Sequence, residues 1–265
     1  MQTVTRDGVT LAYERDGPRD AETVVLVEGL VYGRWMWNWQ RDALADDYDV
    51  VLPDNRGTGD SDAPEGPYTI PMLAADLDAV LADAGVESAN VVGASMGGMI
   101  TLQYALDFDR AASVGLLCTS PGGDVAAPTP PETQERMFNV PEDLDEREAI
   151  RYKMQPAMSD ALAEDDELLE QIVDWRLESD APPHALQAQG AAVAEFDVSD
   201  RLGEVDVPAL VMHGTADRVL PAENARVLHE RLPDSRLELV EDAPHLFFIE
   251  DAARVNDALL EFLDD

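Results

Sequence analysis

NVVGASMGG, residues 90–98, contains the pattern G-x-S-x-G, in which Ser95 lies between Gly93 and Gly97. The apolar residues before it predict a buried strand, and Met96–Leu106 after it has the composition of a helix. A serine at such a tight strand-to-helix turn has a strained backbone and an exposed hydroxyl, and the glycines let strand and helix approach closely. The segment therefore predicts a nucleophilic serine. The alternative is a structural serine in a glycine-rich turn.

Short apolar runs alternate with helical stretches on both sides of this segment. Strands are predicted at Thr3–Thr5, Val9–Glu14, Thr23–Val27, Val50–Leu52, Asn90–Val92, Ser113–Cys118, Ala209–His213 and Arg236–Val240. Helices are predicted at Ile70–Ala84, which Gly85 should end, and at Val255–Phe262. The alternation predicts an α/β fold with an eight-stranded, mostly parallel sheet and helices on both faces, because parallel strands need crossover connections.

Residues 121–193 contain no convincing strand. Two proline-rich pieces, Pro128–Pro131 and Pro182-Pro183, flank acidic helical stretches such as Glu142–Ser159 and Glu164–Glu178. We interpret residues 121–193 as a helical cap that covers the mouth of a site. The cap is inserted into a core formed by residues 1–120 and 194–265.

The charge balance is extreme. The chain has 55 Asp and Glu against 18 Lys and Arg, a net charge of -37, and Lys153 is its only lysine. An anionic surface repels phosphates, so a nucleic-acid partner is not expected. The composition resembles that of proteins from halophilic archaea. At about 1 M salt the screening length falls to about 3 Å, and such self-repulsion becomes tolerable.

Several other classes of protein are disfavoured. The single cysteine, Cys118, lies in an apolar run and is interpreted as a small core residue, so no disulfide framework is expected. No early stretch has the apolar run of a signal peptide, and no run is long enough to cross a membrane. No His, Cys and carboxylate cluster has metal-ligand spacing, and no dinucleotide fingerprint occurs. We expect a cytoplasmic protein that contacts no membrane and needs no metal or other cofactor.

A nucleophilic serine needs a base, usually a histidine oriented by a carboxylate. After a serine turn of this kind the acid and then the histidine should follow in the chain. His245 lies in a loop after the last predicted strand, and Asp217 lies in the loop after Ala209–His213. The alternative for His245 is a loop histidine that caps the next helix. We predict a catalytic triad of Ser95, Asp217 and His245.

Four segments carry a resemblance to the α/β-hydrolase superfamily that extends along nearly the whole chain: DNRGTGDS at 54–61, GASMGG at 93–98, HGTADR at 213–218 and APH at 243–245. Within it, the chain is most similar to the branch of 3-oxoadipate enol-lactonases, cofactor-free haloperoxidase-type esterases and meta-cleavage C–C hydrolases. The resemblance implies that Ser95 attacks a carbonyl, His245 transfers its proton and Asp217 orients the imidazole. It also implies an oxyanion hole formed by the backbone N–H groups of Leu30 and Met96.

The oxyanion loop departs from the usual His-Gly pattern, because Glu28 precedes Gly29 and Leu30. We expect the Glu28 side chain to turn away and bond to loop backbone. The alternative is that it positions water for deacylation. The glycine-rich loop Asp54–Ser61 lacks the Lys-Ser/Thr ending of a nucleotide loop, so it is interpreted as a structural loop that braces the site.

Large apolar side chains near the site have two interpretations. They either line a substrate pocket or pack in the protein core, and packing is the default for the tryptophans. The side chains are Trp35, Trp37 and Trp39 at a helix start, and Met137, Phe138, Met154 and Met158 in the cap.

Together these features predict a serine hydrolase that cleaves a small-molecule carboxylic ester or lactone through an acyl-serine intermediate. A C–C bond hydrolase or perhydrolase with the same triad, or a non-catalytic ligand-binding member of the fold, stays possible from the sequence. Haloalkane dehalogenases and epoxide hydrolases need an aspartate where this chain has Ser95. The natural substrate and the oligomeric state are left open.

Overall fold

The computed structural model describes residues 1–264 and contains a single eight-stranded sheet. The strands are β1 (Gln2–Arg6), β2 (Val9–Asp16), β3 (Thr23–Val27), β4 (Asp49–Pro53), β5 (Ala89–Ala94), β6 (Ala111–Leu117), β7 (Ala209–Gly214) and β8 (Ser235–Val240). Their order is β1-β2-β4-β3-β5-β6-β7-β8. β2 pairs antiparallel with β1 and β4, and all other neighbours are parallel. The predicted sheet is confirmed.

Helices connect the strands and close the chain. They are α1 (Asn38–Leu44), α2 (Ile70–Asp83), α3 (Met96–Asp107), α4 (Pro131–Phe138), α5 (Glu146–Met154), α6 (Asp160–Glu164), α7 (Asp166–Ser179), α8 (Pro183–Ala194), α9 (Glu223–Arg231), α10 (Phe247–Glu250) and α11 (Ala252–Leu263). Within residues 1–264 no helix combines the length and the apolar character that crossing a membrane requires.

The central strand β3 shows why both faces of the sheet are covered. Val25 and Val27 pack into one hydrophobic cluster, which includes residues of α2, α3 and α9. Val24 and Leu26 point to the other side and join a second cluster with residues of α1 and α11. Successive side chains of a strand alternate between its faces. An uninterrupted apolar run is therefore needed to bury both of them.

Helix α2 follows its sequence signals closely. Thr69 caps its first turn by accepting a hydrogen bond from the Met72 backbone N–H at 3.2 Å. Gly85 follows its end with a φ of 70°, a left-handed conformation that glycine adopts at low cost. The helix prediction for Ile70–Ala84 is confirmed.

Two predicted boundaries are wrong. A helical stretch was predicted for Glu142–Ser159, but the observed helix α5 is shorter. It begins after the capping box of Asp145 and ends before a 3-10 turn at Gln155–Ala157. Pro156 lacks a backbone N–H and cannot continue the α-helical bonding. Strand β6 stops at Leu117, and Cys118 turns out of it with a φ of 40°.

The segment predicted as a cap contains α4 to α8, with α8 running to Ala194. The chain leaves and re-enters the sheet region at neighbouring points, where Gly122 and Asp197 form an antiparallel bridge. Several backbone hydrogen bonds join the segment to loops of the sheet. The Ala181 N–H donates to the Val31 carbonyl at 3.0 Å, and the Leu246 N–H donates to the Ala157 carbonyl at 2.9 Å. The helices therefore lie against the loops that follow the parallel strands.

Candidate active site

Ser95 lies between β5 and α3 in a strained turn, with φ of 56° and ψ of -119°. The surrounding glycines are required by close contacts. A Cβ at position 93 would lie 2.2 Å from the Gly97 carbonyl oxygen, and one at position 97 would lie 2.2 Å from the Val27 carbonyl oxygen. The Ser95 N–H is held by the Leu117 carbonyl at 2.9 Å. The packing of strand against helix thus maintains a conformation that an L-residue rarely adopts.

Asp217 and His245 approach each other at the carboxyl edge of the sheet, beyond β7 and β8. His245 Nδ1 lies 2.7 Å from Asp217 Oδ2. The other carboxylate oxygen of Asp217 accepts hydrogen bonds from the Val219 and Leu220 N–H groups, at 2.7 and 2.9 Å. Because an ionised carboxylate can only accept, Nδ1 carries the proton. In the neutral imidazole, Nε2 is then free to act as a base.

The Asp217 carboxyl is well suited to stay ionised. Burial by itself would raise its pKa, but the neighbouring His245 and the hydrogen bonds from His213 and His245 outweigh burial and lower the pKa of Asp217. An ionised Asp217 stabilises the imidazolium that forms when His245 takes a proton.

Ser95 and His245 line the same cavity, which has a volume of about 530 Å³. No hydrogen bond joins the Ser95 hydroxyl to the imidazole or to another of residues 1–264. Of the two hydrogen bonds that link the predicted triad, only the one between Asp217 and His245 is therefore formed. Catalytic hydrogen bonds are often longer in the free enzyme than in the substrate complex. The catalytic roles of the three residues stay predictions.

His213 also contacts Asp217, a role that the sequence analysis did not assign to this histidine. It is fully buried, and its Nε2 lies 3.1 Å from Asp217 Oδ2 and 2.8 Å from the Leu220 carbonyl oxygen. Both oxygens are acceptors, so Nε2 carries the proton, and His213 and His245 approach the same oxygen of Asp217. Its position four residues before Asp217 on the same strand end was the available signal.

The expected oxyanion groups also face the cavity. Leu30 and Met96 both line it beside Ser95. Within residues 1–264 neither backbone N–H donates a hydrogen bond, so both are free to bind a negatively charged oxygen. Free N–H groups beside a nucleophile can stabilise a tetrahedral intermediate, and the oxyanion role of Leu30 and Met96 stays a prediction.

Gln189, on α8, fixes the oxyanion loop and was not identified from the sequence. Its Oε1 accepts a hydrogen bond from the Val31 N–H at 3.0 Å, and its Nε2 donates to the Arg56 carbonyl at 3.0 Å. Val31 has a φ of 73°, so the loop adopts an unfavourable conformation directly after Leu30. The fully buried Gln189 therefore connects α8 to the loop that contains Leu30, the predicted oxyanion donor.

Glu28 turns away from the cavity, as expected. Its side chain is fully buried, and its Oε2 accepts hydrogen bonds from the Asn55 N–H at 2.9 Å and the Thr58 hydroxyl at 3.0 Å. Burial, and then the adjacent Asp54 carboxylate, raise the pKa of Glu28 well above its usual value. The alternative role, positioning water for deacylation, is not supported because Glu28 does not line the cavity.

The loop at residues 54–61 braces its surroundings. Arg56 donates to Asp76 through Nε and Nη2, both at 2.8 Å, and Asp54 binds Arg34. Arg56, the only cationic residue of the loop, thus forms its ion pair with a carboxylate within the protein, which agrees with the structural interpretation of this loop.

The apolar side chains divide between the two interpretations. Trp35 stacks on Trp175 of α7 with ring centroids 5.5 Å apart, and Trp37 packs on Phe248, so both serve packing. In the cap, the cavity is lined by Met137 and Phe138, whereas Met154 and Met158 are buried in the second core cluster.

Cys118 is fully buried, and burial raises its pKa well above the usual value, which agrees with a core role. Within residues 1–264, no group of three His, Cys or carboxylate residues could hold a metal ion.

The fold and the serine turn define a class of protein. The family described as alpha/beta hydrolase fold matches residues 22–252, and the chain belongs to this family of hydrolases.

Three proteins that are similar to this chain differ in the reactions that their names state. A pimeloyl-[acyl-carrier protein] methyl ester esterase of Aeromonas hydrophila is 31% identical over 247 residues, 91% of this chain and 94% of the relative. A 2-hydroxy-6-oxo-6-phenylhexa-2,4-dienoate hydrolase of Burkholderia cepacia is 31% identical over 255 residues, 91% of this chain and 87% of the relative. The crystal structure of the enol-lactonase from Burkholderia xenovorans LB400 is similar over 100% of both chains, with a TM-score of 0.85 and 27% identity.

Proposed function

We propose that this protein is a serine hydrolase that cleaves a small carboxylic ester or lactone through an acyl-serine intermediate. The observation that carries the proposal is the 2.7 Å contact between His245 Nδ1 and Asp217 Oδ2, because His245 lines the same cavity as Ser95. Esterase and enol-lactonase relatives of similar length support the same class of bond.

In the first half of the reaction, the Ser95 oxygen attacks the substrate carbonyl carbon while His245 Nε2 takes the hydroxyl proton. The carbonyl oxygen becomes an oxyanion, which the Leu30 and Met96 N–H groups stabilise. The bond from the carbonyl carbon to the alcohol oxygen then breaks, and His245 returns the proton to that oxygen. The alcohol is released, or stays attached through the ring-opened chain of a lactone.

In the second half, water attacks the acyl-serine carbonyl and gives one proton to His245 Nε2. The bond between the carbonyl carbon and the Ser95 oxygen breaks, His245 returns the proton to Ser95, and a carboxylic acid leaves. The net reaction is the addition of one water molecule to one ester bond, and it needs no other co-reactant.

Covalent labelling tests the proposal directly. A fluorophosphonate probe should label the wild-type protein, and Ser95→Ala should abolish both the labelling and the turnover of 4-nitrophenyl butyrate. Ser120→Ala is the matched control, because Ser120 is a second serine on the cavity wall and should not be the nucleophile. Labelling that persists in Ser95→Ala, or no turnover by the folded wild type, would contradict the proposal.

A C–C bond hydrolase is the second candidate, and the Burkholderia cepacia relative favours it. The same triad can serve both reactions. A panel of 4-nitrophenyl esters, lactones and a 2-hydroxy-6-oxo-dienoate, assayed side by side, separates them. A kcat/KM for the dienoate far above that for the esters and lactones would favour the second candidate.

We also propose that the protein is adapted to concentrated salt, as in halophilic archaea. The net charge of -37 supports this, because the repulsion among surface carboxylates is weakened when the screening length is short.

A further inference from the structure

The charges on the cavity wall are opposite in sign to those of the rest of the chain. Of 265 residues, 55 are Asp or Glu, yet none of the acidic side chains within residues 1–264 lines the cavity that contains Ser95 and His245. Two cationic side chains, Lys153 and Arg176, do line it. They come from the cap helices α5 and α7, whereas the remaining wall is mostly apolar. A ligand that enters this cavity therefore meets positive charge at the cap.

Lys153 has no partner that accounts for its position. Within residues 1–264 its ammonium group makes neither an ion pair nor a hydrogen bond. On the same helix, Arg147 and Arg151 both contact Glu170. Burial, and then repulsion by Arg176, lower the pKa of Lys153. The Asp180 and Glu146 carboxylates offset this desolvation cost without outweighing it, and neither contacts the ammonium group. A bound anionic ligand would stabilise the charged form further.

Arg176 is only partly satisfied within the protein. Its Nε and Nη2 both donate to one oxygen of Asp180, at 2.9 and 2.6 Å, and its guanidinium carbon lies 4.6 Å from the centre of the Tyr32 ring. Its third nitrogen, Nη1, donates to none of residues 1–264. The Asp180 carboxylate balances one of the two cations, so Lys153, Arg176 and Asp180 together leave one positive charge at the cap.

We propose that Lys153, with Arg176 beside it, binds a carboxylate of the substrate, so that the preferred substrates are esters or lactones that carry a second, anionic group. The inference rests on the proposed hydrolase function and specifies its substrate class. Lys153 is then a substrate-binding residue, and the apolar wall accommodates the carbon chain between the carboxylate and the scissile bond.

Two pairs of esters test this proposal. 4-Nitrophenyl pentanoate and the mono-4-nitrophenyl ester of glutaric acid differ by a carboxylate in place of a methyl group on the acyl chain. 4-Nitrophenyl acetate and 3-carboxy-4-nitrophenyl acetate differ by a carboxylate on the leaving group. The readout is the ratio of kcat/KM for the charged ester to that for the neutral ester, measured in about 1 M KCl to screen the net charge of the protein.

In Lys153→Met, the ratio should fall about tenfold or more for at least one pair, since hydrogen bonds to charged groups contribute about that much. Lys153→Arg should retain the ratio. Arg226→Met is the control, because it removes the same charge from an exposed position on α9 that does not line the cavity. An unchanged ratio for both pairs in Lys153→Met would overturn the proposal.

A measurement on the wild-type protein does not depend on how the variants fold. Glutarate should inhibit hydrolysis of 4-nitrophenyl pentanoate at a concentration about tenfold lower than glutaramide, its neutral analogue, does. Equal or weaker inhibition by glutarate would overturn the carboxylate site. If the wild type hydrolyses the neutral esters through Ser95 while these results fail, only the carboxylate site is wrong. If it hydrolyses none of the four esters, the proposed ester hydrolysis fails as well.

Discussion

Replacing Glu28 with glutamine tests whether this buried carboxyl group is protonated in the folded protein. The side chain is fully buried, and its Oε1 has no hydrogen-bond partner. A glutamine resembles the protonated acid. Its carbonyl oxygen can accept the hydrogen bonds from the Asn55 N–H and the Thr58 hydroxyl, and its amide nitrogen replaces Oε1. The variant therefore removes the charge and keeps the shape.

The sign of the effect follows from the raised pKa of Glu28, which burial and then Asp54 cause. Between the unfolded and the folded pKa, the folded protein binds a proton that the unfolded chain has released. The free energy of unfolding therefore falls by about 1.4 kcal/mol for each pH unit in that window. Glutamine has no such loss. Glu28→Gln should match the wild type near pH 4 and become more stable than it as the pH rises, by about 1.4 kcal/mol per unit until the gap levels off.

Urea unfolding followed by tryptophan fluorescence, at pH values from about 4 to about 8 and in constant molar KCl, measures this gap. Glu87→Gln is the control, because it removes the same charge from an exposed glutamate and its gap should not grow with pH. A glutamine variant at position 28 that is less stable than the wild type at neutral pH, or a gap independent of pH, would mean that Glu28 is ionised in the fold. The reasoning from burial would then be refuted.

Three further results are expected. Gln189→Leu leaves the Val31 N–H and the Arg56 carbonyl without partners, so kcat for a 4-nitrophenyl ester should fall about tenfold. This loss is smaller than the roughly hundredfold loss of kcat that follows removal of an oxyanion donor itself. Gln187→Leu, exposed on the same helix, should leave kcat unchanged, and equal rates in the two variants would contradict the role of Gln189. Cys118 is buried and its pKa is raised by burial, so an aromatic disulfide reagent should react with it only after unfolding; rapid reaction in the folded state would contradict this. Raising KCl from about 0.1 to about 1 M shortens the screening length from about 10 to about 3 Å, so Tm should rise; a constant or falling Tm would contradict salt adaptation.

Local sequence was sufficient where neighbouring residues impose the conformation. The serine turn was recognisable from the nine residues NVVGASMGG, because the flanking apolar runs form β5 and α3 and Gly93 closely approaches Gly97 within the segment. The run Thr23–Val27 likewise predicted a strand buried on both faces because all five residues are compatible with it. The order of serine, acid and histidine along the chain was equally visible. These features could be predicted from residue types and their order along the chain, without knowing which segments pack together.

The boundaries within the cap were less predictable, because acidic helical composition continues across positions where the helix stops. Glu142–Ser159 has helical character throughout, but the capping box at Asp145 and the missing N–H of Pro156 define its two ends. Both signals are local and could have been used. The exit of the chain from β6 at Cys118 has no such signal, since the apolar run continues through it.

Contacts between distant segments were decided only by the tertiary structure. Val31 and Gln189 are 158 positions apart, and nothing near either residue indicates that the cap holds the oxyanion loop. The orientation of Glu28 depends on Asn55 and Thr58, which lie on another loop. Similarly, Lys153 and Arg176 face one cavity only because α5 and α7 pack side by side. A sequence specifies each element through its own neighbours, but the side chains that meet at a site are chosen by how those elements pack, and packing depends on the whole chain at once.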